Sequence, residues 1–390
     1  MNNSNELKTI QASPRIQSID VLRGAIMILM AIDHVRVYSG IPAGSLSVGL
    51  FFTRWVTNFC APGFVFFAGT SAFLYGQKIR NKRKLAGFLL SRGLLLVLLE
   101  LTFIRFCWTF NLDFKNFTLA GVIWMLGWCM ILLVLFIWTK PWIAGVLGLF
   151  IILFQQIFHS VPGIFPESIR ATAGSYWQFF YPSQGFEPPA GIAVLYVLIP
   201  WIGVMAAGLG FGAILLLDKK KWKRICTWAG IIMILLFLLI GSITILNKPA
   251  GEEHPPFLLN LLRQNKYPAS QLFLLMTLGP LILLLPYVEN IKGWFANLLI
   301  IFGRAPLFYY LLHIPLIHIS ALIVNMMING GAHQEWYTTA PFTSLPEDKI
   351  WNLGLLYLVF VIDVGILWIA CSWYAGYKSS HPQQKWLKYI

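Results

Sequence analysis

Two ionisable side chains inside the first long apolar segment have the type and spacing for anion binding or acid–base chemistry. Arg23 and His34 lie eleven residues apart within the segment 18–39. Because an α-helix turns about 100° per residue, this spacing puts the two side chains within about 20° of one another. They then lie roughly 16 Å apart along one helix face. Ionisable residues inside a bilayer are costly, so this stripe predicts a functional site.

Further ionisable residues extend the same pattern to two more apolar segments. The arginines near the inner ends of these segments are Arg23, Arg92 and Arg304. The acid–base candidates His34, Glu100 and His313 lie about fifteen to eighteen residues, or roughly 22–27 Å, from the inner ends of the same three segments. An inner layer of arginines suits an anionic ligand from the cytoplasm. The second layer suits proton transfer, because histidine titrates near neutral pH and a carboxylate can orient the imidazole.

The composition excludes an ordinary soluble protein. Of 390 residues, 58% are hydrophobic and only 11% are charged, whereas a soluble domain carries about 25% charged residues. The net charge of +14 is concentrated in short loops, which favours membrane topology over nucleic-acid binding. The five cysteines show no C-x-x-C spacing, so we read them as packing residues, with no disulfide frame and no metal site.

The spacing of apolar segments predicts an all-α, polytopic integral membrane helix bundle of about ten transmembrane helices. The segments lie near 18–39, 56–77, 85–106, 119–138, 141–158, 192–217, 225–246, 270–288, 295–326 and 352–375. Because Pro306 interrupts the unusually long ninth segment, eleven helices are also compatible with the sequence. One transmembrane domain over 18–375 is expected, between tails at 1–17 and 376–390. The first segment is too long for a signal peptide and is expected to be retained.

The loop charges predict the orientation of the bundle. With the N-terminus inside, the inner segments carry seventeen Lys and Arg residues and the longer outer loops carry seven. By the positive-inside rule, both termini are expected in the cytoplasm. The outer loops 159–190 and 328–350 are rich in aromatic residues. Their rings could stack on a sugar acceptor or form the aromatic belt of the membrane interface.

Each candidate also has a purely structural explanation. The alternative contacts are Arg23 with Asp20, His34 with a backbone carbonyl, Asp33 with Arg36, and Glu100 with Arg105. His313 and His318 are five positions apart and diverge by about 140°, so they do not form a metal pair on one helix face. Asp363 lies within the last apolar segment and must find a partner there, for which His318 is one candidate.

Three stretches carry a resemblance to a known family. The first two are RIQSIDVLRGAIMILMAIDH and APGFVFFAGTSAFLYGQK within 15–78, and the third is FGRAPLFYYLLHIPLIH at 302–318. They resemble the heparan-alpha-glucosaminide N-acetyltransferase catalytic family, in its bacterial branch, and the broader acyltransferase-3 superfamily. The resemblance maps the family's arginine–histidine pair onto Arg23 and His34, and a late-helix histidine onto His313.

The resemblance implies an acyl-CoA-dependent O- or N-acyltransferase that moves an acyl group, such as acetyl, to an extracytoplasmic glycan or small-molecule acceptor. Acetyl-CoA or another acyl-CoA would be the co-substrate, bound through its phosphates by Arg23, Arg92 and Arg304. His34 would act as a general base or take the acyl group itself, Glu100 would orient the imidazole, and His313 would handle a second proton. The rival classes are a proton-coupled transporter that uses the same residues as a relay, and a non-catalytic lipid or glycan receptor.

Overall fold

The computed structural model describes residues 16–42, 47–247 and 256–388. The helices are α1 Gln17–Tyr38, α2 Val48–Trp55, α3 Cys60–Ile79, α4 Lys82–Leu99, α5 Arg105–Thr109, α6 Val122–Phe136, α7 Pro141–Leu153, α8 Glu167–Trp177, α9 Leu198–Ile214, α10 Lys219–Leu246, α11 Phe257–Leu262, α12 Gln271–Val288, α13 Trp294–Arg304, α14 Pro306–Asn329 and α15 Leu353–Ser380. A π-helical turn, Glu100–Ile104, joins α4 to α5. The tail 1–17 lies almost wholly outside the described residues.

Two short strands form a parallel pair among the helices. Strand β1, Thr118–Ala120, precedes α6, and strand β2, Ile192–Val194, precedes α9. Thr118 pairs with Ile192. Because successive side chains of a strand point to opposite faces, this pair can line two different spaces with alternate residues.

The model confirms an all-α helix bundle with apolar helices long enough to cross a membrane. Six described helices meet the length and composition of a span, or seven if α7 and the bent turn that follows it form one. The expected count of about ten transmembrane helices is therefore not confirmed by helix length and composition. Helix α1 carries four charged residues in its 22 positions, and α6, α9 and α13 are shorter than 18 residues. The break predicted in segment 295–326 is confirmed, since α13 ends at Arg304 and α14 begins at Pro306.

Glycines allow the central helices to pack backbone against backbone. A Cβ atom at Gly24 of α1 would lie 1.8 Å from the carbonyl oxygen of Leu299 in α13, and one at Gly303 would lie 1.8 Å from that of Asp20. Helices α3 and α9 meet in the same way, at Gly69 and Gly208. Within a bilayer, where apolar burial gives little drive for helix association, close van der Waals contact at small residues stabilises the bundle.

We expect Gly303→Leu to destabilise the protein, because the new side chain must push α1 away from α13. Overpacking of this kind costs about 1–3 kcal/mol or more. The matched control is Gly365→Leu in α15, where a Cβ atom meets nothing within 4 Å. Thermal unfolding of the purified proteins in detergent measures both. A midpoint for Gly303→Leu equal to that of the control would contradict the close α1–α13 contact.

Candidate functional site

A pair of histidines joins α1 to α14. Nδ1 of His34 and Nε2 of His313 are 2.7 Å apart, and the two rings stack with centroids 4.8 Å apart. The Trp108 ring packs edge-on against His34 at 4.9 Å. His313 is completely buried, whereas His34 is partly exposed. Two of the histidines that the sequence singled out therefore lie in direct contact, 279 positions apart.

Two backbone carbonyl groups determine which ring nitrogen of His313 carries the proton, and His313 in turn determines the protonated nitrogen of His34. Nδ1 of His313 lies 2.7 Å from the carbonyl oxygen of Tyr310 and 3.2 Å from that of Tyr309. A carbonyl oxygen only accepts, so Nδ1 of His313 donates and Nε2 of the neutral ring is an acceptor. His34 then donates from Nδ1 to His313, and Nε2 of His34 retains its lone pair. This arrangement leaves His34 as a base that can take up one proton.

The partly exposed side of His34 borders a cavity of about 460 Å³, which we call the histidine cavity. Its polar and charged lining residues are Asp33, His34, Arg36, Arg54, Thr57, Asn58, Glu100, Tyr196, Lys266, Tyr267, Tyr310 and Thr343. A recess of about 30 Å³ is lined by His34 and Lys266 as well, together with apolar residues that include Met30, Cys60 and Phe64. A chamber lined by many polar and charged side chains, with a basic nitrogen, suits a polar substrate and proton transfer.

Glu100 lies in the wall of the histidine cavity at the π-helical turn. Its carboxylate is buried and accepts a hydrogen bond from the backbone N–H of Ile123, at 3.1 Å. This N–H belongs to the first turn of α6, where backbone donors lack helical partners and the helix dipole favours a negative charge. The suggested partner Arg105 instead donates to the carbonyl oxygens of Phe117, Asn111 and Asp113.

The three arginines of the predicted inner layer lie away from the described lining of the histidine cavity. Arg23 donates from Nη2 to the carbonyl oxygen of Phe67 and to Oγ of Ser71, each at 2.7 Å. Nε of Arg304 is 3.8 Å from a carboxylate oxygen of Asp20, and its side chain is 51% exposed. Arg92 lies above the ring of Phe88 on α4. Their role toward a phosphate ligand stays a prediction.

The structure decides two of the alternative contacts. The Asp33–Arg36 pair is confirmed, with Nε of Arg36 donating to a carboxylate oxygen of Asp33 at 3.0 Å. The suggested contact between His318 and Asp363 is wrong. The two ring nitrogens of His318 lie at the carbonyl oxygen of Cys107 and at Oε1 of Gln334, while Asp363 accepts from Ser320 at 2.7 Å. Local polar groups therefore engage both ring nitrogens of His318 and one carboxylate oxygen of Asp363, while Oδ2 of Asp363 is buried with no hydrogen-bond partner among the described residues.

Sequence reasoning missed Lys266, which lines both the histidine cavity and its recess. Its ammonium group lies 5.2 Å from the ring centroid of Tyr267 and 5.8 Å from that of Tyr196. The loop between α11 and α12 carries it back to α1, so no helical periodicity marks it. The one feature of the sequence that could have indicated Lys266 was its position in a predicted outer loop, where lysines are few.

The aromatic loops contribute to the core as well as to the surface. Tyr337 is completely buried, where it meets Asn325 at 3.0 Å and the carbonyl oxygen of Tyr38 at 3.3 Å. Partly exposed rings also pack on each other, as His333 does on Trp336 at 4.2 Å between centroids. Part of the aromatic content therefore has a packing role.

A comparison with known families gives one match. The sequence profile described as "Heparan-alpha-glucosaminide N-acetyltransferase, catalytic" matches residues 15–246. This range includes His34, Glu100 and Arg23, but ends before His313 and Lys266. A search of curated proteins gave no match.

The contact between Glu100 and α6 predicts a difference between two substitutions. Glu100→Ala leaves the buried N–H of Ile123 without an acceptor, which costs about 1–3 kcal/mol. Glu100→Gln keeps a carbonyl oxygen in the same place, so it should lower the stability clearly less than Glu100→Ala does. Thermal unfolding in detergent compares the two variants with the wild type. Equal stability of Glu100→Ala and wild type would contradict the contact.

Proposed function

Because the chain belongs to the heparan-alpha-glucosaminide N-acetyltransferase catalytic family, we propose that it transfers an acyl group, in the simplest case acetyl, from cytoplasmic acyl-CoA to an extracytoplasmic glycan or amino-sugar acceptor. The family implies membrane acetyltransferase activity in general. The acyl-CoA donor, the acceptor and the roles of individual residues are our proposal.

The observation that carries this proposal is the contact between His34 and His313 beside a polar cavity. The carbonyl oxygens of Tyr309 and Tyr310 hold His313 in one tautomer, and His313 in turn orients His34. His34 is the base because its Nε2 is the nitrogen left with a lone pair. When this nitrogen takes up a proton, His313 accepts a stronger hydrogen bond from the resulting imidazolium.

The proposed reaction is a nucleophilic substitution at the thioester. An acceptor hydroxyl or amine attacks the carbonyl carbon of acyl-CoA, and its proton passes to Nε2 of His34. The tetrahedral intermediate then expels the CoA thiolate, which takes the proton from the His34 imidazolium. A C–O or C–N bond forms, the C–S bond breaks, and the acyl group remains on the acceptor.

Lys266 supplies a positive charge where the intermediate carries its negative one. It shares the lining of the small recess with His34, so a thioester carbonyl placed there lies between the base and the ammonium group. Preorganised charge of this kind stabilises an oxyanion most strongly in a site with little water. The flanking rings of Tyr196 and Tyr267 hold the lysine chain in position.

The donor would enter from the cytoplasmic side, where the positive-inside rule predicts both termini. In this orientation Arg23, Arg92 and Arg304 lie in the inner parts of their apolar segments. Guanidinium groups bind phosphate oxygens with paired hydrogen bonds, so these three residues suit the phosphates of CoA. Arg304, with its half-exposed side chain, is the member best placed to meet a ligand arriving from water.

We expect His34→Ala to slow acyl transfer by about 10²–10⁴, the usual contribution of a general base. His34→Gln should not restore the rate, because glutamine hydrogen-bonds but cannot take up the proton. Release of free CoA from radiolabelled acetyl-CoA, with water replacing the acceptor, measures the reaction. The matched control is His159→Gln, which removes an exposed histidine that contacts the carbonyl oxygen of Pro182.

Two outcomes would contradict different parts of this proposal. Activity within about threefold of wild type in both His34 variants would exclude His34 as the base, since a general base contributes far more. If the wild-type protein neither hydrolyses acetyl-CoA nor becomes labelled, cleavage of the thioester with water as the acceptor is excluded. That second result is the one expected of a transporter.

We expect Lys266→Cys to lower the rate of acetyl-CoA cleavage by about 10²–10³, as for loss of an oxyanion donor. Alkylation with 2-bromoethylamine then rebuilds an ammonium side chain at this position and should recover much of the rate. The five native cysteines are all buried, so the reagent should act mainly on the new thiol. The control is Lys349→Cys, whose lysine pairs with Asp348 at the surface.

The Lys266 experiment separates a charge effect from a structural one. Recovery after alkylation requires the ammonium group, which a purely structural loss would not provide. An alkylated Lys266→Cys protein that stays as slow as before would exclude the oxyanion role. A wild-type rate in untreated Lys266→Cys would exclude it as well.

A further inference from the structure

A second and larger cavity lies behind the strand pair. It has a volume of about 690 Å³, and we call it the tryptophan cavity. Its lining is mostly apolar and aromatic: Leu101, Phe114, Lys115, Thr118, Ala120, Trp124, Trp128, Leu132, Phe179, Phe180, Ala190, Gly191, Ile192 and Leu198. Lys115 is the one charged residue in this lining. None of these residues takes part in the proposed acyl transfer.

The dimensions of the tryptophan cavity match a single hydrocarbon chain. Trp124, Trp128 and Leu132 lie at intervals of four along α6 and form one stripe. Eight residues of helix extend about 12 Å, close to the roughly 15 Å that one leaflet contributes to the hydrocarbon core. The stripe therefore has the length of a lipid chain within one leaflet.

The surface of α4 beside the cavity is apolar and exposed. Leu94 and Leu98 of α4 are 52% and 59% exposed. These two residues continue the face that carries Leu101 into the cavity lining, at helical spacings of three and four. Large apolar side chains with this exposure on membrane-length helices contact lipid, so a lipid chain reaches the cavity without crossing water.

The charge at one end of the tryptophan cavity defines the head group. Lys115 lies in the loop 110–117, beyond the apolar stripe of α6, and its side chain is exposed. Both carboxylate oxygens of the neighbouring Asp113 accept hydrogen bonds from Asn116, so the side-chain partner of this acid is Asn116. The ammonium group of Lys115, at the end of a chain-length apolar groove, favours an anionic over a zwitterionic head group.

We propose that the tryptophan cavity binds the hydrocarbon chain of an anionic membrane lipid, whose phosphate contacts Lys115. This binding site goes beyond the proposed acyl transfer and does not depend on it. Strand β1 separates the two cavities by one backbone layer, because Thr118 and Ala120 line the tryptophan cavity while Leu119 and Gly121 line the histidine cavity. The head group of the lipid is thus held next to the wall of the histidine cavity.

The test uses phosphatidylglycerol with a photoreactive diazirine in its chain, in nanodiscs that contain the wild-type protein. Labelling should map to the segments with Trp124, Trp128 and Phe179. Leu132→Trp fills the deep end of the cavity and should reduce labelling by about fivefold or more. The matched control is Leu135→Trp, which adds the same ring on the same helix at a position that lies outside the cavity lining.

The head-group contact has its own test. Wild-type protein should label more strongly with phosphatidylglycerol than with the phosphatidylcholine analogue, and Lys115→Gln should abolish this preference. Lys292→Gln, at an exposed lysine outside the cavity lining, should leave it intact. Equal labelling of the Leu132→Trp and Leu135→Trp proteins would overturn the chain site. An unchanged preference in Lys115→Gln would overturn the phosphate contact, even if Leu132→Trp fails to fold.

Discussion

A polar group inside the hydrocarbon region has no water to bind, so it must find its partner within the protein. This constraint explains the contacts between distant parts of the chain. His34 meets His313, Glu100 meets the first turn of α6, and Arg23 meets the backbone of α3. Each contact joins two elements whose relative position apolar packing alone does not fix. The polar residues thereby fix the relative positions of the helices that form the histidine cavity.

The same contacts can serve both stability and chemistry. The histidine pair gives the buried ring of His313 a hydrogen-bond partner. It also leaves one nitrogen of His34 as an acceptor, because the carbonyl oxygens of Tyr309 and Tyr310 set the direction of donation. The glycine contacts hold α1 against α13, and α14, which carries His313, begins two residues after α13 ends. A proton-transfer site in a membrane therefore depends on tight helix packing as much as on the identity of its residues.

The strand pair organises the space on both of its faces. Three residues of β1 and three of β2 separate the histidine cavity, which has many polar lining residues, from the mostly apolar tryptophan cavity. Alternation of side chains along a strand makes this division possible with very little structure. An enzyme that works at the boundary between lipid and water needs both environments within a few ångströms of one another.

The sequence by itself determined the properties that depend on local periodicity and composition. It predicted the all-α membrane bundle, the break before Pro306 and the Asp33–Arg36 pair, and it singled out His34 and His313. It also carried the family resemblance, since the match spans the N-terminal segments. These features follow from side chains a few positions apart, whose geometry a helix fixes in advance.

The tertiary structure alone decided which distant residues meet. It joined His34 to His313, separated His318 from Asp363, turned Glu100 toward α6, and brought Lys266 from a loop to a recess that His34 also lines. It also formed the tryptophan cavity from helices and strands that are far apart in the chain. No short-range sequence pattern encodes such contacts. They depend on how whole helices pack and on which distant group becomes the hydrogen-bond partner of each buried polar side chain.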